Sequence, residues 1–195
     1  MAKRNSIRYF TYDQKKRFLK TISDSKSAWR DYFMFNLMLN TGLRLAETVF
    51  LNVGDIFNGY SAKEVLEIQG KGNRIRQIPL NKAIRNHIAT YLKQKKRHGN
   101  DISLPSPLFL SRNHRRLTNR AVELNFDKWI RLSGIEGKYS PHSLRHTVGT
   151  ELMKKTNNIR KVQEFLGHKF VSTTQVYTGV TKEDLQECAE LLTQR

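Results

Sequence analysis

The sequence is short of cysteine, of acid and of long apolar runs. Its single cysteine, Cys188, excludes an internal disulfide framework and a zinc site built on cysteine pairs, and points to a reducing compartment. No apolar run approaches the ~20 residues of a membrane span. The richest stretch, Tyr32 to Leu39, is broken by Asn36. The start, Met1-Ala2-Lys3-Arg4-Asn5, is basic but lacks the apolar segment of a secretory signal. Internal repeats and low-complexity segments are absent as well. With only 17 acidic residues, scattered along the chain, there is no carboxylate cluster of the kind a metal-dependent nuclease needs. The reading is a soluble cytoplasmic protein.

Against those 17 acids stand 35 lysines and arginines, a formal net charge of +18 over 195 residues. Soluble domains of this size usually carry a net charge of magnitude ~2–8. Such an excess repels itself and calls for an anionic partner, nucleic acid first and an anionic membrane surface second. The 38% of hydrophobic residues suffices for one domain with a proper core. The charge is also unevenly placed. From Ile68 to Asn100 there are nine basic residues and no acidic one, including Lys71, Arg74, Arg76, Lys93, Lys95, Lys96 and Arg97. Arg112, Arg115, Arg116 and Arg120 form a second acid-free stretch. One such run is usually a solvated face, but two without counter-charges favour binding to phosphates.

The local signals predict a mainly helical chain with one small antiparallel sheet, an α+β class. Residues 1–10 read as a basic arm. Thr11 with Gln14 predicts a capping box opening a helix striped by Phe18, Leu19 and Ile22. A very apolar helix follows from Ala28 to Leu39, ended by Asn40-Thr41-Gly42, and a third begins near Leu43. Val65–Ile68 and Ile75–Ile78 alternate as strands around the turn chemistry of Gly70-Lys71-Gly72-Asn73, so a β-hairpin is expected. Helices are predicted over Asn81–His98, from a Thr118 cap to Leu132, and from the Ser140-Pro141 start to Lys155. Three shorter ones follow at Ile159–Leu166, Ser172–Gly179 and Thr181–Leu192. In the last, Leu185, Cys188, Ala189, Leu191 and Leu192 make an apolar stripe on an otherwise acidic segment.

Chemistry-bearing residues concentrate in Pro141-His142-Ser143-Leu144-Arg145-His146. His142, Arg145 and His146 share one face at the start of a helix, where free amides and the dipole favour an anion. Two imidazoles beside a guanidinium describe a phosphate site able to move protons. The rival reading, zinc on His142 and His146, places Arg145 beside the cation. Arg44 follows the Gly42 turn among apolar neighbours and needs an anion, either Glu47 three residues on or a substrate phosphate. Lys71 sits on the hairpin turn. Leu166-Gly167-His168 with Tyr177 nine residues later says little alone, because such a tyrosine more often packs.

Taken in order, Thr41-Gly42-Leu43-Arg44-Leu45-Ala46-Glu47, Gly70-Lys71-Gly72-Asn73, His142-Ser143-Leu144-Arg145-His146, Leu166-Gly167-His168 and Tyr177 resemble the phage integrase, or tyrosine recombinase, family. The resemblance implies the catalytic-domain fold of that family. It implies Arg44 and Arg145 clamping a scissile phosphate, Lys71 and His142 handling protons, His168 supporting the transition state and Tyr177 as nucleophile. Glu47 and His146 fall at supporting positions behind these. Arg74, Arg76, Lys93, Lys95, Lys96, Arg97, Arg112, Arg115 and Arg116 become DNA contacts, with no metal and no cofactor. The implied function is site-specific DNA recombination, for integration, excision or inversion, through a 3′-phosphotyrosine. A type IB topoisomerase-like enzyme that relaxes DNA and a non-catalytic DNA-binding accessory protein are the alternatives.

Within that resemblance, residues 11–180 form the catalytic domain and 181–195 a C-terminal helix exchanged between subunits. Double-stranded DNA is the expected partner, bound by a homo-tetramer in the nucleoid, with accessory DNA-binding proteins and no membrane. Family members commonly carry an N-terminal helical domain that ten residues cannot form. The alternatives are a fragment and a short single-domain member.

Overall fold

A computed structural model of the protein describes residues 8–69, 75–167 and 181–193. Four helices come first: α1 (Tyr12–Ser23), α2 (Trp29–Thr41), α3 (Leu45–Phe50) and α4 (Val53–Ile56). The strands β1 (Val65–Gln69) and β2 (Ile75–Pro79) follow, then α5 (Lys82–Arg97), α6 (Asn119–Leu132), α7 (Pro141–Thr156), α8 (Ile159–Leu166) and α9 (Lys182–Leu191). Among the described residues the class is mainly helical with one two-stranded sheet, as expected.

Helix α2 is the centre of the molecule. Every residue from Phe33 to Leu39 is buried, as a helix apolar on all sides must be, and α1, α5 and α7 pack around it. Phe18 of α1 meets Phe35 of α2 and Phe126 of α6, with ring centroids 5.5 and 5.4 Å away. Phe10 joins this cluster at 2% exposure, and its amide donates to the Thr147 hydroxyl of α7 at 2.8 Å. The chain at Phe10 is thus fixed to the core.

The caps fall where the side chains ask for them. Thr11 and Gln14 form the reciprocal box on α1, and the hydroxyl of Thr118 accepts from Ala121 at the start of α6. Pro141 occupies the first turn of α7 behind Ser140. Four-residue α4 has no sequence counterpart, because one turn is too short to show a period.

The strands pair antiparallel, with Leu66 opposite Ile78 and Ile68 opposite Arg76. Leu66, Ile68 and Ile78 face the core, while Ile75 is exposed. Arg76 therefore shares the inner face with Ile78, a consequence of the two-residue period. The connecting turn at Gly70–Asn73 and Arg74 lie outside the described residues, as does the expected helix over Ser172–Gly179.

Helix α9 packs on its own chain, against α7, α8 and β2, with Cys188 and Ala189 fully buried. The Asn81 side-chain amide donates to the Ala189 carbonyl at 3.0 Å. Lys161 of α8 pairs with Asp184 at 2.7 Å and Glu187 at 2.8 Å. Lys161, followed by the Thr181 cap, holds the Asp184 carboxyl down to about 2. Among the described residues no helix is long and apolar enough to cross a membrane.

Candidate active site

The site is built where α2 ends. Gly42 terminates that helix in the left-handed region, φ 63°, and a side chain there would run into Leu166. The reversal frees the Gly42 carbonyl and sets Arg44 at the cap of α3. The Arg44 amide donates to Glu47 Oε2 at 2.7 Å and its Nη1 to Oε1 at 2.8 Å. One carboxylate thus caps the helix and orients the guanidinium, whose side chain is still 44% exposed. Both partners foreseen for Arg44 stay compatible: Glu47 holds it and its outer face is open.

Arg145 reaches the same place from the second turn of α7. It is 3% exposed, donating through Nη1 to the Gly42 carbonyl at 2.5 Å and through Nη2 to the Leu166 carbonyl at 2.6 Å. Burial, then the charges of Arg44 and Arg76, lower its pKa to about 10, so it stays ionised at neutral pH. His142, one turn earlier, is exposed, and its ring stands perpendicular to that of His146 with centroids 4.5 Å apart. Burial, Arg145 and Arg44 push the His142 pKa below its ordinary value. It is therefore a neutral imidazole near pH 7. Among the described residues no third histidine, cysteine, aspartate or glutamate joins this pair in a metal-holding group.

Glu47 accepts a second guanidinium. Arg76 Nη2 lies 3.0 Å from Glu47 Oε2, and its Nη1 donates to the Leu166 carbonyl at 2.7 Å. Burial alone would raise the Glu47 pKa. The Arg44 amide, the Arg76 charge and the two guanidinium bonds outweigh it and hold the carboxyl low. Three guanidiniums against one carboxylate leave a surplus of positive charge at this point. A groove of about 360 Å³ opens beside it, lined by His142, Arg145, His146 and Gly149. A wider depression of about 1320 Å³ lies beside the hairpin near Tyr60, Glu64, Lys82 and Arg85. The smaller groove shares Arg145 and Leu166 with the guanidinium cluster and is the candidate site.

Several expected residues need correction. Arg76, assigned to a DNA-facing surface, turns inward because its strand position alternates with exposed Ile75 and Gln77. Lys95 is 1% exposed and spends its ammonium on the Pro107 carbonyl at 3.0 Å. Arg116 ties a loop to the end of α3, bonding the Val49 and Leu51 carbonyls at 2.9 Å each and Asn52 Oδ1 at 2.6 Å. These three are structural cations. Lys93, Lys96, Arg97, Arg112 and Arg115 are exposed. Lys71, Arg74, His168 and Tyr177 lie outside the described residues. The inward role of Arg76 was missed, although the two-residue period that buries Ile78 was the signal for it.

Residues 8–184 match the profile of the phage integrase family. The tyrosine recombinase XerC of Caldanaerobacter subterraneus subsp. tengcongensis is 39% identical over 181 residues, 92% of this chain and 49% of its own length. That of Chlamydia caviae is 34% identical over 176 residues, 88% of this chain and 54% of its own. The chain spans about half the length of the curated relatives it matches. Among solved structures, XerA recombinase superposes with a TM-score of 0.71 at 26% identity, over 96% of this chain and 65% of that one. The XerH site-specific recombinase bound to difH substrate in a pre-cleavage complex gives 0.70 at 25% identity, over 93% and 53%.

Proposed function

Because the chain belongs to the phage integrase family, we propose that it is a site-specific recombinase that cuts and rejoins DNA through a covalent bond to Tyr177. The observation that carries this reading is the convergence of Arg44, Arg145 and His142 around an uncompensated positive charge beside an open groove. A phosphodiester under attack by an oxygen gathers charge on its non-bridging oxygens. Two fixed guanidiniums can each place paired N–H donors on them. Both are already oriented, by Glu47 and by the Gly42 and Leu166 carbonyls, so little reorganisation is left for the transition state.

The tyrosine hydroxyl has an ordinary pKa of ~10 and must lose its proton to attack. His142, kept neutral near pH 7 by its surroundings, has a free lone pair to take that proton. The Tyr177 oxygen then bonds to phosphorus, and the bond from phosphorus to the 5′-oxygen breaks. The departing 5′-oxygen takes a proton, for which Lys71 on the hairpin turn is the donor, and His168 supports the phosphate. A 5′-hydroxyl from a second strand reverses the sequence, restores the phosphodiester and frees Tyr177. Bond energy is conserved in the phosphotyrosine, so neither ATP nor metal enters.

Lys93, Lys96, Arg97, Arg112 and Arg115 are the candidates for backbone phosphates. Assembly into a tetramer on DNA would follow from passing α9 to a neighbouring copy. Its acidic face against a basic body supports that, and the seat beside Lys161 could receive the same helix from another chain. Accessory DNA-binding proteins would act at that assembly.

The experiment is covalent capture. The full chain is incubated with a random pool of nicked duplexes, and detergent-resistant adducts are recovered and sequenced. A shared sequence joined to Tyr177 through a 3′-phosphate is the expected result. Binding with no adduct at any sequence would leave a DNA-binding protein without cleavage activity.

A further inference from the structure

Arg76 belongs to none of the residues expected to touch the phosphate, yet it contacts the anchors of both that do. Through Nη2 it holds Glu47, which orients Arg44. Through Nη1 it shares the Leu166 carbonyl with Arg145. Its stem lies across Gly167, where an added Cβ would come within 2.5 Å of the Arg76 Cδ. The left-handed glycine that ends α8 is thus the space the arginine occupies.

Stability alone gives a poor account of this placement. The Arg76 side chain is 11% exposed. Burial, partly offset by the charge and hydrogen bonds of Glu47, lowers its pKa. Its Nε is buried with no partner among the described residues. A buried donor without a partner costs free energy, and an apolar residue opposite Ile68 would avoid that cost. Arg44 and Arg145 come from different parts of the chain, α3 and α7. A planar fork bonds the carboxylate and the carbonyl at a fixed spacing, which the rotatable donors of an ammonium do not impose.

We propose that Arg76 is a positioning residue that sets the spacing of Arg44 and Arg145 by bracing Glu47 and the Leu166 carbonyl from the hairpin. This rests on the cleavage reading above. Arg76→Lys keeps the charge and loses the fork, while Arg76→Gln loses both. With the duplex recovered by covalent capture, both variants should form the adduct roughly 10²-fold more slowly, the scale of an ångström-sized misplacement. DNA affinity should stay near that of the unsubstituted chain, with the same circular dichroism. Glu47→Gln should be slowed comparably. The double variant Glu47→Gln/Arg76→Gln should be little slower than either single one, because both remove the same brace.

Full rescue by Arg76→Lys would reduce the role to charge and overturn the proposal. Independent, multiplying effects of the two substitutions would overturn it too. If the unsubstituted chain makes no adduct, the cleavage reading fails, and inorganic phosphate titrated against the His142 NMR signals decides the brace alone. Weaker phosphate binding in both Arg76 variants supports it, and unchanged binding ends it.

Discussion

Arg145 and Arg76 donate to the same acceptor, the Leu166 carbonyl oxygen, at 2.6 and 2.7 Å. Two guanidiniums would repel at such proximity without the carbonyl between them and Glu47 alongside. The charge that makes the groove attractive to a phosphate is therefore held in place by the end of α8. That gives the site residues distinct expected behaviours.

Replacing Tyr177 with Phe removes one oxygen and leaves the ring. DNA binding should persist and the covalent adduct should vanish in a gel-shift and detergent-gel pair. An adduct formed at the unsubstituted rate would move the nucleophile elsewhere.

Arg44→Ala and Arg145→Ala should each slow cleavage by roughly 10²–10³-fold, the cost of one lost preorganised donor. Their effects on stability should differ. Arg145→Ala strands the Gly42 carbonyl, while the Leu166 carbonyl keeps Arg76, and should lose about 1–3 kcal/mol in urea unfolding. Arg44, whose side chain is 44% exposed, should cost much less. Equal losses of stability would contradict the burial difference.

The His142 imidazole should titrate below the ordinary histidine value of 6.5, since burial, Arg145 and Arg44 all disfavour its cation. The folded state resists the proton that the unfolded chain accepts. Stability from this group is therefore present above that value and lost as pH falls through the lowered midpoint. Cleavage should fall over the same interval as the proton acceptor is consumed. NMR titration of the ring checks it, and a midpoint above 6.5 contradicts the assigned surroundings.

DNA affinity should fall steeply with salt, at ~0.9 in log–log slope per phosphate neutralised. Charge reversal at Lys93, Lys96, Arg97, Arg112 or Arg115 should shallow that slope. Reversal at Lys95 or Arg116 should lower the melting temperature instead, because those cations are spent on internal carbonyls.

Cleavage should survive excess chelator, since fixed guanidiniums supply the positive charge. Loss with EDTA and recovery with zinc would return His142 and His146 to a metal role.

How much was legible follows from the range of each interaction. The box at Thr11, the Thr118 cap and the Ser140-Pro141 start are decided within four residues, so they could be read directly. The hairpin strands followed from alternation, and Arg44, Glu47, His142 and Arg145 from the order of short motifs. The basic runs were visible as charge but not as direction. Arg76, Lys95 and Arg116 look like their exposed neighbours in composition, and only their internal acceptors separate them.

The sequence by itself determined most of the elements, the excess of positive charge and the candidate chemistry, because caps, periods and net charge are local or additive properties. Tertiary structure alone decided which cations face outward and which brace the interior. It also decided that Glu47 serves Arg44 and Arg76 together. Those outcomes depend on acceptors supplied 12 to 103 residues away in the chain, at Pro107, Glu47, Leu51, Leu166 and Gly42, and no local pattern encodes what a fold will place opposite a side chain.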